Sequence, residues 1–113
     1  MQAKIIDLPV AEIHDWESFH AVFQRVFGFP DFYGRNMNAW IDCMTDLDDP
    51  GTGMTGVSVA KDEMVVLHIY DAGDFQRRCP EQYEALIECT VAVNLRHADQ
   101  PVLALLLSGH HGA

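Results

Sequence analysis

Two short apolar runs set the tightest limit on what this chain folds into. Met64 to Tyr70 is continuous but for His68, and Val102 to Leu107 is continuous and leucine-rich. Both have the length of a strand, and the second falls far short of a bilayer span. The Val and Ile content of the first predicts a strand covered on both faces. The second predicts a last buried strand, and Ile5 and Ile6 mark a first one near the N-terminus. Helical patterns fill the intervals, in the order strand, helix, helix, strand, helix, strand. That alternation predicts an α/β fold, a three-stranded parallel sheet packed by helices. The 113 residues, 49% of them hydrophobic, suit a single domain over 1–113 with one core.

Asp15 has the chemistry of a helix N-cap, with Glu17 in the first turn behind it. Trp16, Phe19, Val22, Phe23, Val26 and Phe27 follow at spacings of three and four, which makes one apolar helix face. Gly28 ends that helix and Pro30 blocks its continuation. Asp31 to Asn36 reads as a turn in which Gly34 can take a positive φ and Asn36 caps a second helix. In that helix Met37, Trp40, Met44 and Leu47 form the inward stripe. Asn38, Ile41, Asp42, Thr45 and Asp46 lie on a neighbouring stripe that faces away.

Residues 48–62 carry loop signals, Asp-Pro, Gly-Thr-Gly and Thr-Gly, with alternating Val57 and Val59 as a candidate short strand. A further helical pattern runs from about Asp74, its candidate cap, or Pro80 to about His97. Tyr83, Leu86, Ile87, Thr90 and Val93 or Asn94 lie on one side of it, and Pro80 suits its first turn. The β-rich Thr90-Val91-Ala92-Val93 weakens the pattern.

Seventeen Asp and Glu against seven Lys and Arg give a formal net charge of −10. Such a chain repels nucleic acid and anionic membrane surfaces and draws basic partners. Net negative charge also simply keeps a protein in solution. Cys43, Cys79 and Cys89 are odd in number and lack CxxC spacing, so reduced thiols are expected rather than a disulfide framework. No Cys or His pair has zinc-ligand spacing, so neither metal nor cofactor is expected. His110 and His111 read as a solvated tail. The first ten residues lack an apolar secretory core, which makes the cytoplasm the expected address. With no P-loop, no GxGxxG and no spaced nucleophile, base and oxyanion donor, the sequence argues against an enzyme. Cys43 reads as a small buried thiol, Trp40 as core, His68 as a satisfied core histidine, and Glu81, Glu84 and Glu88 as a solvated face.

The stretch Phe32-Tyr33-Gly34-Arg35-Asn36-Met37-Asn38-Ala39-Trp40-Ile41-Asp42-Cys43-Met44-Thr45 is similar to the signature of the barstar family. That signature has two aromatics, Gly-x-Asn, an apolar residue, an acid, Ala, two large apolar residues, then Asp-Cys-Leu-Thr. The order of elements also matches, and Leu103 to Ser108 resembles the family's terminal strand, which closes on Ser. The resemblance implies a barstar-like domain that inhibits a secreted barnase-type ribonuclease one to one. The second helix and its leading loop would lie across the nuclease active site, with Asp42 in the place of the substrate phosphate. Phe32, Tyr33, Gly34 and Asn36 would carry the loop contacts, and Asn38, Ile41, Thr45 and Asp46 those of the helix. Asp99 corresponds loosely to a further family acid. Two positions depart from the pattern: Asn38 replaces an acid and Ile41 a tryptophan of the binding face. The loop after the helix is also longer.

The residues favour a binding face without the family. Asp42 and Asp46 repel each other one turn apart, and Asp46, Asp48 and Asp49 crowd the negative end of the helix dipole. A surface meant for a cationic pocket accepts that placement, and a carboxylate held on a helix there accepts charge-assisted hydrogen bonds. The expected partner is a basic extracellular ribonuclease, with no direct nucleic acid or membrane contact and a monomer in the free state. Two alternatives stand beside it: an acidic adaptor for a different basic partner, and a small enzyme using Asp42 with His68 or His97.

Overall fold

The computed structural model describes residues 1–109, so the tail expected at His110 and His111 lies outside the described residues. Three strands, β1 (Gln2–Asp7), β2 (Glu63–Ile69) and β3 (Leu103–Leu107), form a parallel sheet in the order β1-β2-β3. Ile6 stands opposite Leu67 and Leu67 opposite Leu105, while Ile5, Val66 and Ala104 line up on the other face. The helices are α1 (Trp16–Phe27), α2 (Met37–Thr45), α3 (Ala72–Arg78) and α4 (Pro80–Leu95).

The expectation that residues 64–70 are covered on both faces is corrected. Val65, Leu67 and Ile69 are buried, but Met64, Val66 and His68 between them are only half-buried. The layer of helices covers one face of the sheet. In β3 Leu103 is buried, whereas Leu106 and Leu107 are exposed. An apolar run of strand length does not by itself say how many faces are covered. His68 is satisfied as expected, though at the surface rather than in the core. Its Nδ1 lies 2.8 Å from Asp7 Oδ1 and its Nε2 2.7 Å from Ser108 Oγ, so it ties all three strand ends together.

The first helix follows its pattern. Asp15 Oδ1 accepts from the Ser18 backbone N–H, and Ser18 Oγ accepts from the Asp15 N–H, which closes a capping box. Phe19, Phe23 and Phe27 are fully buried, and Phe23 meets Trp40 edge to face with ring centroids 5.6 Å apart. Gly28 ends the helix in the left-handed region at φ 66°.

The loop and the last helices differ from their sequence patterns. Val57 and Val59 form no strand: the chain after α2 makes 3-10 turns at Asp46–Asp48 and Pro50–Thr52 and then runs back irregularly. Its backbone pairs with helix ends instead of a sheet neighbour, through Gly56 N–H to Phe27 O and Val59 N–H to Leu47 O. The last helical pattern breaks at Cys79 into α3 and α4, and Asp71, at φ 55°, is the N-cap of α3 in place of Asp74. Asp74 instead accepts from Arg78 Nε at 2.7 Å. The helix α4 runs unbroken through Thr90–Val93, with the Thr90 hydroxyl donating to Leu86 O. Its buried line is Gln82, Leu86, Thr90 and Val93, and Ile87 is exposed. Among the described residues no helix is long and apolar enough to cross a membrane.

Gly28 is the tightest backbone position. A Cβ there would sit 3.0 Å from Gly56 Cα, backbone against backbone, in a conformation that side chains already avoid. At Gly53, also left-handed at φ 72°, a Cβ meets nothing within 4 Å. Gly53→Ala should therefore lose about 1 kcal/mol in urea unfolding from backbone strain alone. Gly28→Ala should lose clearly more, about 2 kcal/mol or above, because strain and collision add.

Candidate partner-binding face

The helix α2 is built with one committed side and one open side. Trp40, Cys43, Met44 and, just past its end, Leu47 are buried to 1% exposure or less. Met37 packs half-buried against the same core. Asn36 caps the helix with its Oδ1, accepting from Ala39 N–H at 2.8 Å, while its Nδ2 donates to Gly34 O at 3.2 Å. Both ends of the amide are thus used inside the loop. The left-handed residue of the turn is Arg35, at φ 52°, rather than Gly34. Gly34 serves close approach: a Cβ on it would come within 3.2 Å of Asn36 Nδ2.

The open side carries most of the residues expected from sequence. Phe32 is 77% exposed, an unusual state for a phenylalanine. Gly34, Asn36, Asn38 and Asp42 are exposed, and Ile41, Thr45 and Asp46 are half-buried beside them. The Thr45 hydroxyl is turned inward and donates to Ile41 O at 2.6 Å. Tyr33 is set apart from the group: it is buried, and its Oη shares a 2.6 Å hydrogen bond with His20 Nδ1 of α1. It fixes the loop to the body from inside.

Beyond the C-terminal end of α2 lies a depression of about 330 Å³ lined by Asp48, Lys61, Glu63, His97 and Asp99 among others. Asp99 lines this depression beyond the helix end, apart from the exposed side of α2. His97 pins the end of α4 to that of α2, with its Nε2 2.9 Å from Thr45 O and its Nδ1 3.5 Å from Asp48 Oδ2.

Asp42 has a partner that the sequence did not reveal. Arg96, the C-cap of α4, donates from Nη1 to Asp42 Oδ1 at 2.9 Å. His68 and His97 are bonded elsewhere, His68 to Asp7 and Ser108 and His97 to Thr45 O. Burial, aided by the charges of Asp42 and Asp46, pushes the Cys43 thiol up to about 11, which leaves it protonated and unreactive at neutral pH. Among the described residues no three His, Cys, Asp or Glu side chains converge on a metal site.

The fold is a small α/β domain in which α2 buries one side and turns the other, with its leading loop, to solvent. Residues 3–107 match the family model described as barstar, the barnase inhibitor, and the chain belongs to the barstar family. No curated protein matches it.

Burial lowers the His20 ring to about 4, with the Arg35 cation adding to the effect, and burial raises the Tyr33 hydroxyl. Unfolded, His20 returns to an ordinary value near 6.5. Between those values the unfolded chain binds more protons, so stability is fully present above pH ~6.5 and declines as pH falls toward 4. Chemical denaturation across that window should show a shallower decline for His20→Gln than for the wild type. Equal slopes would mean that His20 is not held neutral.

Proposed function

We propose that this chain inhibits a secreted ribonuclease of the barnase type, binding one to one as a monomer and closing the active site with α2 and its leading loop. The carrying observation is the division of α2: one side packs into the core, and the other presents Asp42 outward, with Phe32 exposed in the leading loop. A ribonuclease active site gathers cations to hold phosphate and the charge that develops on it. A carboxylate fixed on a packed helix enters that site with little entropy left to lose. There it accepts charge-assisted hydrogen bonds in the place of phosphate. Phe32, Gly34, Asn38, Ile41 and Asp46 surround it as the rest of the contact face, with Tyr33, Asn36 and Thr45 holding its shape. The setting that fits this role is the cytoplasm of the producing cell, as immunity against its own secreted enzyme.

The net charge of −10 speeds encounter with a basic enzyme, and salt weakens that part of the attraction. Calorimetric titration against a panel of basic secreted ribonucleases, with RNA cleavage followed in parallel, should give a one-to-one complex that abolishes cleavage and binds more weakly in high salt. Asp42→Ala should weaken it by about 3 kcal/mol or more, over 100-fold, because the enzyme's cations are left desolvated and unpaired. An Asp42→Ala protein that inhibits as well as the wild type would remove Asp42 from the centre of the face.

A further inference from the structure

The residue placed to replace phosphate is, in the free protein, already bonded to a cation of its own chain. Arg96 Nη1 sits 2.9 Å from Asp42 Oδ1, with the two side chains 49% and 59% exposed. The backbone that carries Arg96 is anchored, although its side chain is solvated. Arg96 closes the C-terminal end of α4, its backbone N–H bonding to Val93 O and its successor His97 bonding to Thr45 O at the end of α2. The cation also lies at the negative end of the α4 dipole, which favours it there. Arg96 is therefore carried on an anchored backbone beside Asp42, and α2 itself contains no Lys or Arg. A surface that imitated only a phosphate would gain nothing from a guanidinium beside its key carboxylate, because the partner's cations must compete with it.

We propose that Arg96 is a second residue that reads the partner. In the complex Asp42 passes to the partner's phosphate-binding cations, and Arg96 turns to a carboxylate beside them. This deepens the inhibitor reading above and rests on it. It defines the partner's chemistry: a cationic cleft that also holds an acidic side chain within a few ångströms. RNA cleavage through the 2′-hydroxyl requires a general base, and a carboxylate next to the phosphate cations serves that purpose. The free-state pair costs little to open, because both groups are well hydrated and such pairs contribute weakly. The pairs that replace it form out of water, where hydrogen-bonded charge pairs are much stronger. Arg96 also keeps α2 from being uniformly anionic, which disfavours basic proteins that lack the carboxylate.

The test uses the full chain and the same panel of basic secreted ribonucleases, with wild type, Arg96→Ala, Arg96→Glu, Arg96→Lys and Asp42→Ala titrated against every nuclease. For a nuclease that the wild type inhibits, Arg96→Ala should bind about tenfold more weakly, and Arg96→Glu about 100-fold more weakly. Arg96→Lys should recover part of the loss through its charge, and the unfolding midpoint of every Arg96 variant should stay near wild type. Arg96→Ala and Arg96→Glu binding as tightly as wild type, or more tightly, would show that Arg96 only shields Asp42 and would overturn the proposal alone. Absence of binding by wild type to every nuclease would overturn the inhibitor reading and this inference with it. The loss on Asp42→Ala tells the two failures apart.

Discussion

The burial of Trp40 is the contact on which the placement of α2 and its exposed side depends. A nine-residue helix has almost no stability of its own in water. The helix α2 holds its shape because Trp40, Met44 and Leu47 are withdrawn completely from solvent and because Phe23 meets the indole edge to face. Among the described residues the indole N–H finds no hydrogen-bond partner, so packing rather than polar bonding places the ring. An unmade hydrogen bond in the core is costly, and it is tolerated here because the aromatic surface buried is large. Through this anchor the direction of Asp42 is decided by α1, the element that supplies Phe23, and by the turn that Tyr33 fastens to His20.

Covering the sheet on one face has a second consequence. The open face must hold its strands together by other means, and Asp7, His68 and Ser108 do so across β1, β2 and the end of β3. Carboxylate, imidazole and hydroxyl stand in the hydrogen-bond order of a hydrolytic triad. They lie at the strand ends, however, and the depression beyond α2 is lined by other residues. A triad also needs oxyanion donors around the reacting carbon. The network therefore acts as lacing between strand ends. It also shows why a histidine in an apolar run is better explained by its neighbours on adjacent strands than by its neighbours in sequence.

Local patterns carried most of the fold. The spacing of Phe19, Val22, Phe23 and Phe27 and the caps at Asp15, Gly28 and Asn36 are contained within one or two helical turns, and they were legible for that reason. The division of α2 into an inward and an outward stripe was legible in the same way. What local pattern could not supply was whatever depends on distant chain. Met64 to Tyr70 reads alike whether one face or two is covered. Asp71 rather than Asp74 starts α3 because the chain turns there and Ala72 N–H bonds to Ser108 O, 36 residues further on. Val57 and Val59 alternate as a strand does, but their segment is claimed by Phe27 and Leu47. The pairing of Arg96 with Asp42 spans 54 residues and follows only from the packing of α4 beside α2.

Charge acts on this molecule at two ranges, and the two should not be merged. Beyond a Debye length of about 8–10 Å a partner feels mainly the excess of acids, which steers any basic protein toward the chain without discriminating among them. Within contact distance the acids no longer act as a sum. Asp42 stands with Arg96 beside it, Asp46 is half-withdrawn, and Asp48 and Asp99 lie around a separate depression beyond the helix end. A partner that answers only the net charge meets a guanidinium next to the carboxylate it seeks. A partner with cation and carboxylate in matching order meets no such obstacle. Attraction at long range is thus generic in this chain, and under the proposed reading selection falls to the order of charges on one short helix and the end of its neighbour.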